Sequence, residues 1–411
     1  MSALKYWVWL SALPGLSNVN KLQLLFAFSS PEELYYAAPE EVYGVEGLKK
    51  EQADALNNKS LEAAEKILGD CARENVFIVT MADALYPNRL RNMYDPPLML
   101  YGKGNMPLFD EEVALAMVGT RKCTPYGVQC AEELGYELVR QGAMVVSGMA
   151  KGIDGAALKG ALRGGGFPCA VLGGGVDVIY PKENEWLYQD IIAAGVVLSE
   201  YAPGTEPLSR HFPVRNRIIS GLTLGTVVVE APERSGALIT AHTALEQGRD
   251  VFAVPGSIHV PTSAGCHQLI REGAALVQCA WDVLEEYQDS YPHKLHRLRG
   301  KLPPMPRSAD MPESKEAEKA NEVNKVDEAE PASQLPTLDL RKGNAGLTDD
   351  QIAILHILPT DMPLLADETA ERTGISIRRA LSALTVLEID GYAEKCGAQS
   401  FISKVIILDK E

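Results

Sequence analysis

Short apolar runs that alternate with stretches of helical periodicity constrain the fold of this chain more than any other feature. Amphipathic stretches such as Gln129–Gln141 and Gly236–Gln247 lie between most of the later runs. Uninterrupted apolar strands separated by helices are typical of a parallel sheet covered by helices on both faces. We therefore expect an α/β fold whose strands lie at Val76–Thr80, Val113–Gly119, Met144–Ser147, Ala170–Gly173, Val196–Ser199, Thr226–Glu230 and Val251–Val254.

A change of composition near residue 298 divides the 411-residue chain. Lys301–Asn344 is rich in Pro, Glu, Lys, Ala and Ser and poor in aromatic residues, and such a segment buries too little apolar surface to offset its chain entropy. We expect a helical domain over residues 1–70, the sheet domain over 71–297, a disordered linker over 298–345 and a further domain over 346–411.

Two helical units precede the sheet, at Leu10–Phe28 and Pro31–Leu56. Each contains a glycine turn, PGLS at Pro14–Ser17 and VEGL at Val45–Leu48. Paired units of this kind resemble helix-hairpin-helix or SAM-like domains, and the former place backbone N–H groups on DNA phosphate. A small helical packing domain explains the same pattern and is favoured, but both interpretations stay open.

Charge and cysteine usage limit the class of protein. A formal net charge of −16 argues against coating duplex DNA through bulk electrostatics. A local basic groove remains compatible with it, because charges act over about 8–10 Å in salt. No run approaches the roughly 18 apolar residues of a membrane span. Seven cysteines without a C-x-x-C pair indicate reduced thiols, so we expect a cytoplasmic protein.

The loops that follow the expected strands are rich in glycine and in basic residues. Glycine lets backbone amides approach a ligand, and the N-terminus of the following helix favours anions. Parallel strands bring these loops to one edge of the sheet, where ligands bind. The sequence thus predicts a phosphate or nucleic-acid backbone site, with basic side chains from Arg121, Lys122, Lys151, Arg210, Arg215, Arg217 and Arg234.

The same loops lack the motifs of several enzyme classes. The first loop reads G-x-R, not G-x-G-x-x-G, and the chain has no G-x-x-x-x-G-K-[ST] sequence. The histidines show no metal-ligand spacing. His211 and His242 have no recognisable nucleophile or carboxylate partner in their motifs, so packed histidines are the favoured interpretation over acid–base catalysts.

Three acids in the loops could do acid–base work, but structural roles are favoured. Asp154 opens a helix and can serve as a cap or first-turn acid. Glu230 can hold Arg215 or Arg217 in place, and Asp177 is the third acid. We expect no catalytic residue, no cofactor and no metal.

Six motifs occur in one order: VGTRKCTPYG, SGMAKGIDGAALKGAL, VLGGGVDVIYP, FPVRNRIISGL, ERSGALITAHTALEQGR and FAVPGSI. In that order they resemble the DNA-processing protein A family, also called Smf, over about residues 76–286. The resemblance implies an extended Rossmann-like fold that binds single-stranded DNA, forms a homodimer and delivers the strand to the RecA recombinase during natural transformation. It implies no known enzymatic activity.

The resemblance also assigns residues. It places the family's strand-binding arginine on Arg121, its lysine on Lys151 and its F-P-x-R-N-R segment on Phe212–Arg217. With the loop pattern, the expected DNA contacts are Gly119, Arg121, Lys122, Gly148, Lys151, Gly152, Phe212, Arg215, Asn216, Arg217, Arg234, Ser235 and Gly236. The dimer contacts that it implies are His267, Ile270 and Leu276. The chain departs from the family's pattern at His242, where many relatives carry Arg, and at Gly174.

The C-terminal block is expected to be a winged helix. Helical patterns cover Thr348–Ile357, Leu364–Arg372 and Ser376–Ile389, with a break at Gly374, and Gly391–Ser403 suits a small β-wing. Residues 346–411 hold eleven acids and six bases, whereas a duplex reader is usually basic. A protein-interaction or regulatory module is therefore favoured over sequence-specific DNA binding.

Two other functions stay open at this point. One is a nucleotide or phosphoribosyl hydrolase on a related phosphate-binding scaffold, although the P-G-G-x-G-T-x-x-E motif of such enzymes is missing from this chain. The other is a transcriptional regulator that uses the winged helix.

Overall fold

The computed structural model describes residues 3–298, 337–339, 347–359, 364–389, 392–395 and 400–408. The chain divides into two compact units, residues 1–312 and 313–411. Each unit has a hydrophobic core of its own. Among the described residues, no helix has the length and apolarity that crossing a membrane requires.

Six helices open the first unit, and glycine turns join two pairs of them. Gly15 and Gly47 lie in these turns with φ of 78° and 85°, in the left-handed region that glycine adopts without a steric cost. The last helix runs through residue 70, where a domain boundary was expected. The helices are α1 (Leu4–Ala12), α2 (Asn18–Phe28), α3 (Pro31–Tyr36), α4 (Pro39–Tyr43), α5 (Lys50–Ala55) and α6 (Glu62–Arg73).

A nine-stranded sheet forms the centre of this unit, in the order β1-β2-β6-β5-β4-β3-β7-β8-β9. All neighbours from β6 to β9 in this order are parallel. The mostly parallel sheet and its expected strands are confirmed. The strands are β1 (Phe77–Thr80), β2 (Met99–Gly104), β3 (Ala114–Val118), β4 (Met144–Ser147), β5 (Pro168–Val171), β6 (Val196–Ser199), β7 (Gly225–Val228), β8 (Asp250–Ala253) and β9 (Ala275–Leu276).

Two strands were not expected. Strand β2 lies antiparallel between β1 and β6, so the sheet is mixed at this edge. Its sequence pattern is weak because Gly102 interrupts it, and the Phe77 ring fills the space beside that glycine. Strand β9 has only two residues and continues the sheet beyond β8.

Helices cover both faces of the sheet, as expected. The helices after β1 are α7 (Asn88–Arg91), α8 (Pro125–Arg140), α9 (Ile153–Arg163), α10 (Glu185–Ala194), α11 (His211–Gly221), α12 (Gly236–Glu246), α13 (Ala264–Arg271) and α14 (Trp281–Leu284). Alternate residues of β3 show the division between the faces. Leu115 and Met117 join the core under α1–α6, α8–α10 and α14, whereas Ala116 and Val118 join the core under α7 and α11–α13.

The second unit contains the expected three helices and wing strands of a winged helix. Gly374 ends the second helix with φ of 68°, which explains the break before the third. Most of the expected linker lies outside the described residues, but Thr337–Asp339 within it forms a strand that pairs with Ile406–Leu408. The elements are β10 (Thr337–Asp339), α15 (Asp349–Ile357), β11 (Leu364–Leu365), α16 (Ala366–Thr373), α17 (Ile377–Ile389), β12 (Ala393–Lys395), β13 (Ser400–Ser403) and β14 (Ile406–Leu408).

Candidate functional site

The direction of the strand order changes between β3 and β7, and an open trough of about 520 Å³ lies at the carboxyl ends of these strands. Doubly wound sheets bind ligands at such a switch point. The loops after β3 and β7 and the starts of α11 and α12 form its walls. The predicted DNA-binding residues that line this trough are Gly119, Arg121, Phe212, Arg215, Asn216, Arg234, Ser235 and Gly236.

An aromatic ring close to two cations marks one wall of the trough. The guanidinium carbon of Arg121 lies 4.9 Å from the centroid of the Phe212 ring, and that of Arg215 lies 5.9 Å from it. Tyr180 is partly exposed beside Phe212, with ring centroids 5.6 Å apart. The sequence prediction did not include Tyr180, although the GGGVDVIYP loop that carries it was recognised as part of the edge. This wall therefore offers both positive charge and flat apolar surface.

Arg215 is buried and held by backbone. Its Nη1 donates to the carbonyl oxygen of Gly148 at 2.9 Å and to that of Val171. Burial lowers the pKa of Arg215 to about 10, while attraction to Asp154 opposes the shift. Arg215 therefore shapes the floor of the trough and adds positive potential from below, whereas Arg121 is exposed at the surface.

Asp154 has a structural environment, in the first turn of α9. Its carboxylate accepts the amide N–H of Gly148 at 3.2 Å. Burial raises the pKa of Asp154, and attraction to Arg215 and backbone N–H donors opposes the shift. Asp154 is therefore the acid whose charge acts on Arg215, while the hydrogen bonds of Arg215 go to backbone carbonyls and to Asn216. The expectation that Glu230 holds an arginine is wrong, because Glu230 accepts from Thr124 N–H at 2.9 Å and from the Thr124 hydroxyl.

Close backbone approach explains two of the predicted glycines. Gly152 has φ of 82°, and a Cβ there would lie 2.5 Å from the Thr120 carbonyl oxygen. A Cβ on Gly148 would lie 2.5 Å from the Arg215 guanidinium. These glycines bring the loop after β4 against the loop after β3, and so complete the basic edge.

The N-terminus of α12 presents several hydrogen-bond donors that can bind an anion. Ser235 precedes the helix, and its side chain makes no capping hydrogen bond. Within the described part of the chain, the buried Ser235 Oγ finds no hydrogen-bond partner. Arg234 is exposed next to it, and Gly236 leaves open space above the first turn. Unsatisfied helix N–H groups, a free hydroxyl and a guanidinium together favour a phosphate here.

Four predicted basic residues are not among the residues that line the trough. Arg210 is exposed and immediately precedes α11. Lys122 and Lys151 are exposed on the adjoining loops, and the Lys151 ammonium is paired with the carboxylate of Glu183. Arg217 is buried on another side of α11, where it contacts Glu200 at 2.6 Å and Asp95 at 3.1 Å. The F-P-x-R-N-R segment therefore splits between the trough and a buried ion cluster.

The loop histidines occupy different settings. His211 stacks on Tyr201 with ring centroids 4.2 Å apart, and its Nδ1 lies 3.1 Å from the Gly173 carbonyl oxygen. This agrees with the favoured interpretation of a packed histidine. His242 is exposed on α12, so the expectation of a packed histidine is wrong for this residue. Among the described residues, no group of three or more His, Cys, Asp or Glu side chains has the arrangement of a metal site.

The residues predicted for a dimer lie on α13 and the edge strand. Leu269 faces the core, and Ile270 is only partly buried against it. Leu276 belongs to β9 and is 44% exposed. His267 Nε2 lies 3.0 Å from the Gly256 carbonyl oxygen, which joins α13 to the PGSI loop. All three residues therefore belong to α13 or to β9, the edge strand of the sheet.

A mostly parallel, doubly wound sheet with an open basic switch point places the first unit among the Rossmann-like proteins. The family described as DNA recombination-mediator protein A matches residues 77–288, and the DprA winged helix domain matches residues 339–399. The chain belongs to this DprA/Smf family of DNA recombination mediators.

Individual relatives agree with this assignment. DNA processing protein DprA of Streptococcus pneumoniae is 49% identical over 209 residues, which cover 51% of this chain and 73% of that protein. DprA of Bacillus subtilis is 42% identical over 238 residues, which cover 57% and 80%. The X-ray structure of the S. pneumoniae protein overlaps with a TM-score of 0.60 at 39% identity, covering 69% of this chain and 97% of that one.

Proposed function

We propose that this chain binds single-stranded DNA in the trough and, as a recombination mediator in the cytoplasm, delivers it to RecA during natural transformation. The observation that carries the proposal is the wall formed by Arg121, Phe212 and Tyr180. Exposed cations hold phosphates, and aromatic rings stack on bases of any identity when these are unpaired. The family resemblance supports the recombinase and transformation steps.

The strand follows the positive edge from one loop to the next. We propose contacts with Arg121 and Phe212 on one wall and with the Ser235 hydroxyl and first-turn amides of α12 on the other. Lys122 and Lys151 extend the path outside the trough on loops whose approach depends on Gly148 and Gly152. Arg217 is left out of the contact set, because its charge is already neutralised inside the protein.

The proposed action is binding without chemical turnover. The acids near the trough have structural interactions. Asp154 accepts from a loop amide and is attracted to Arg215, and Glu230 accepts from Thr124. We propose further that two copies associate through the end of the sheet that carries Leu276. A dimer would join two troughs, so that one long strand engages both with increased avidity.

Fluorescence anisotropy with a labelled oligothymidylate and a labelled duplex of equal length tests the binding proposal. Single-stranded DNA should bind more tightly, with an affinity that falls as salt rises. Equal or tighter binding of the duplex contradicts the proposal. In parallel, incubation with ATP, NAD and nucleoside monophosphates should give no product; saturable turnover that is lost in Asp154→Asn would instead support a hydrolase.

RecA delivery is tested on single-stranded DNA that is already coated by a single-strand binding protein. The chain should accelerate the onset of RecA's DNA-dependent ATPase on this template, and Arg121→Ala should lose that effect together with DNA binding. An unaltered onset at saturating protein would contradict the mediator step while leaving the DNA-binding proposal intact.

A further inference from the structure

We propose that the N-terminal helices position the DNA trough through α11, by way of the contact between Asn18, Glu200 and Arg217. This inference rests on the proposed function, because its consequence is a change in single-stranded DNA affinity. It assigns Arg217 as a positioning residue and gives the N-terminal helices a role other than direct DNA binding.

The first turn of α2 binds Glu200, an acid in the loop after β6. Asn18 Nδ2 donates to Glu200 Oε1 at 2.6 Å, across 182 positions of sequence. A carboxylate is favoured at a helix N-terminus because the helix dipole is positive there. Lys21, one turn further along, is buried, is attracted to Glu200 and donates to the Ser11 carbonyl oxygen at 2.6 Å. A DNA phosphate bound at this turn would have to displace Glu200.

Glu200 also binds Arg217 of α11. Both of its carboxylate oxygens accept from Arg217 Nη2, at 2.8 and 2.6 Å. Arg217 Nε lies 3.1 Å from Asp95, and the Arg217 side chain is 8% exposed. Because a buried cation is unfavourable without its anionic partners, this cluster fixes where Arg217 and its helix turn lie.

One side of α11 lines the trough, and the opposite side contacts Glu200. Phe212, Arg215, Asn216 and Ile219 line the trough, and their spacing of three and four residues places them on one face. Arg217 projects from a different face toward Glu200. A helix of eleven residues moves as a rigid unit, so a contact that fixes one face of α11 also fixes the position of its opposite face.

Asn18→Asp tests the connection without touching the trough. The new carboxylate repels Glu200, whereas Asn20→Asp adds the same charge to the same turn and keeps the oxygen that accepts from Ser17 and Gln52. Hydrogen exchange of the α11 amides is measured on the free protein, and anisotropy with oligothymidylate is measured across a salt series. Circular dichroism confirms that both variants keep their helical signal.

Asn18→Asp should speed exchange in α11 and weaken single-stranded DNA binding on the order of fivefold. The slope of affinity against salt should not change, since no phosphate contact is removed. Asn20→Asp should resemble the wild type, and Glu200→Gln added to Asn18→Asp should restore part of the affinity by removing the repulsion. Unchanged α11 exchange in Asn18→Asp, or faster exchange with unaltered affinity, overturns the inference.

The failure of the proposed function gives a different result. If the wild type does not bind oligothymidylate at all, single-stranded DNA binding is wrong, and exchange alone then decides whether the N-terminal helices anchor α11. If Arg217→Gln lowers the salt slope by about 0.7 while Asn18→Asp has no effect, Arg217 is a phosphate ligand and the positioning role is wrong.

Discussion

The Arg121 guanidinium lies over the Phe212 ring, 4.9 Å from its centroid, at the mouth of the trough. The ring face attracts the cation and holds a long, exposed side chain close to one position. The guanidinium still offers its N–H donors to a ligand, and the partly exposed Tyr180 ring beside Phe212 offers a flat apolar face. This patch therefore has the groups that phosphate binding and base stacking require.

Arg121→Ala is expected to weaken single-stranded DNA binding and to lower the salt slope by about 0.7, the value for one phosphate contact on a single strand. Arg121→Lys should keep the slope but recover only part of the affinity, because an ammonium lacks the planar face that stacks on Phe212. Anisotropy across a salt series measures both. If Arg121→Ala leaves affinity and slope unchanged, the strand lies elsewhere.

Glu183→Gln is expected to tighten DNA binding about two- to fivefold, since Lys151 is released from an exposed ion pair of modest strength. Glu185→Gln removes the same charge two residues away and serves as the control. In a Lys151→Ala background, Glu183→Gln should have little further effect. Equal gains from Glu183→Gln and Glu185→Gln would indicate a general effect of charge rather than competition for Lys151.

The sequence predicted the sheet because its buried strands are continuous apolar runs, a pattern with little ambiguity. It missed β2, where Gly102 and Lys103 break the pattern and the strand depends on its neighbours, including the Phe77 ring over the glycine. Strand β9 has two exposed residues and no pattern of its own. Such strands are determined by tertiary pairing rather than by local sequence.

The site was predicted at the level of loops better than at the level of side chains. Arg121, Arg215 and Arg217 read alike in the sequence, yet one is exposed and two are buried. What separates them is the carboxylate that acts on each buried guanidinium: Asp154 attracts Arg215, and Glu200 contacts Arg217 at 2.6 Å. Those partners are distant in sequence, so no local pattern could assign them.

Asp154→Ala is expected to lower the free energy of unfolding by about 1–3 kcal/mol, because it leaves the buried Gly148 N–H without its acceptor and removes a negative charge that is attracted to the buried Arg215. Asp289→Ala changes an exposed acid and serves as the control. Urea denaturation followed by circular dichroism measures the difference. A loss in Asp154→Ala no larger than in the control would mean that Arg215 does not depend on this carboxylate.

Lys21→Met is expected to change how stability depends on pH. Burial lowers the pKa of Lys21 from 10.5 to about 8 in the folded protein. Between these two pH values Lys21 is therefore protonated in the unfolded chain but largely deprotonated in the folded protein. Wild-type stability should therefore rise with pH across this window, and below about pH 8 the unfavourable effect of the buried charge is fully present. The stability of Lys21→Met relative to wild type should fall by about 3 kcal/mol from pH 7 to pH 10.5.

Paired denaturation curves at a series of pH values measure this relative stability. Lys66→Met, on the exposed side of α6, is the matched control. A difference between Lys21→Met and wild type that stays constant across the window would show that Lys21 is not buried as a charge.

Leu276→Glu is expected to convert a dimer into a monomer without unfolding the chain. Leu276 is 44% exposed on the edge strand β9, so a charge there meets solvent in the monomer but would be buried in an interface. Ile270→Glu is a less clean test, because Ile270 packs partly against the core. Leu85→Glu alters a leucine of similar exposure, 45%, away from this end of the sheet. Light scattering should show a dimer for wild type and Leu85→Glu and a monomer for Leu276→Glu; a monomeric wild type, or a dimeric Leu276→Glu, contradicts this interface.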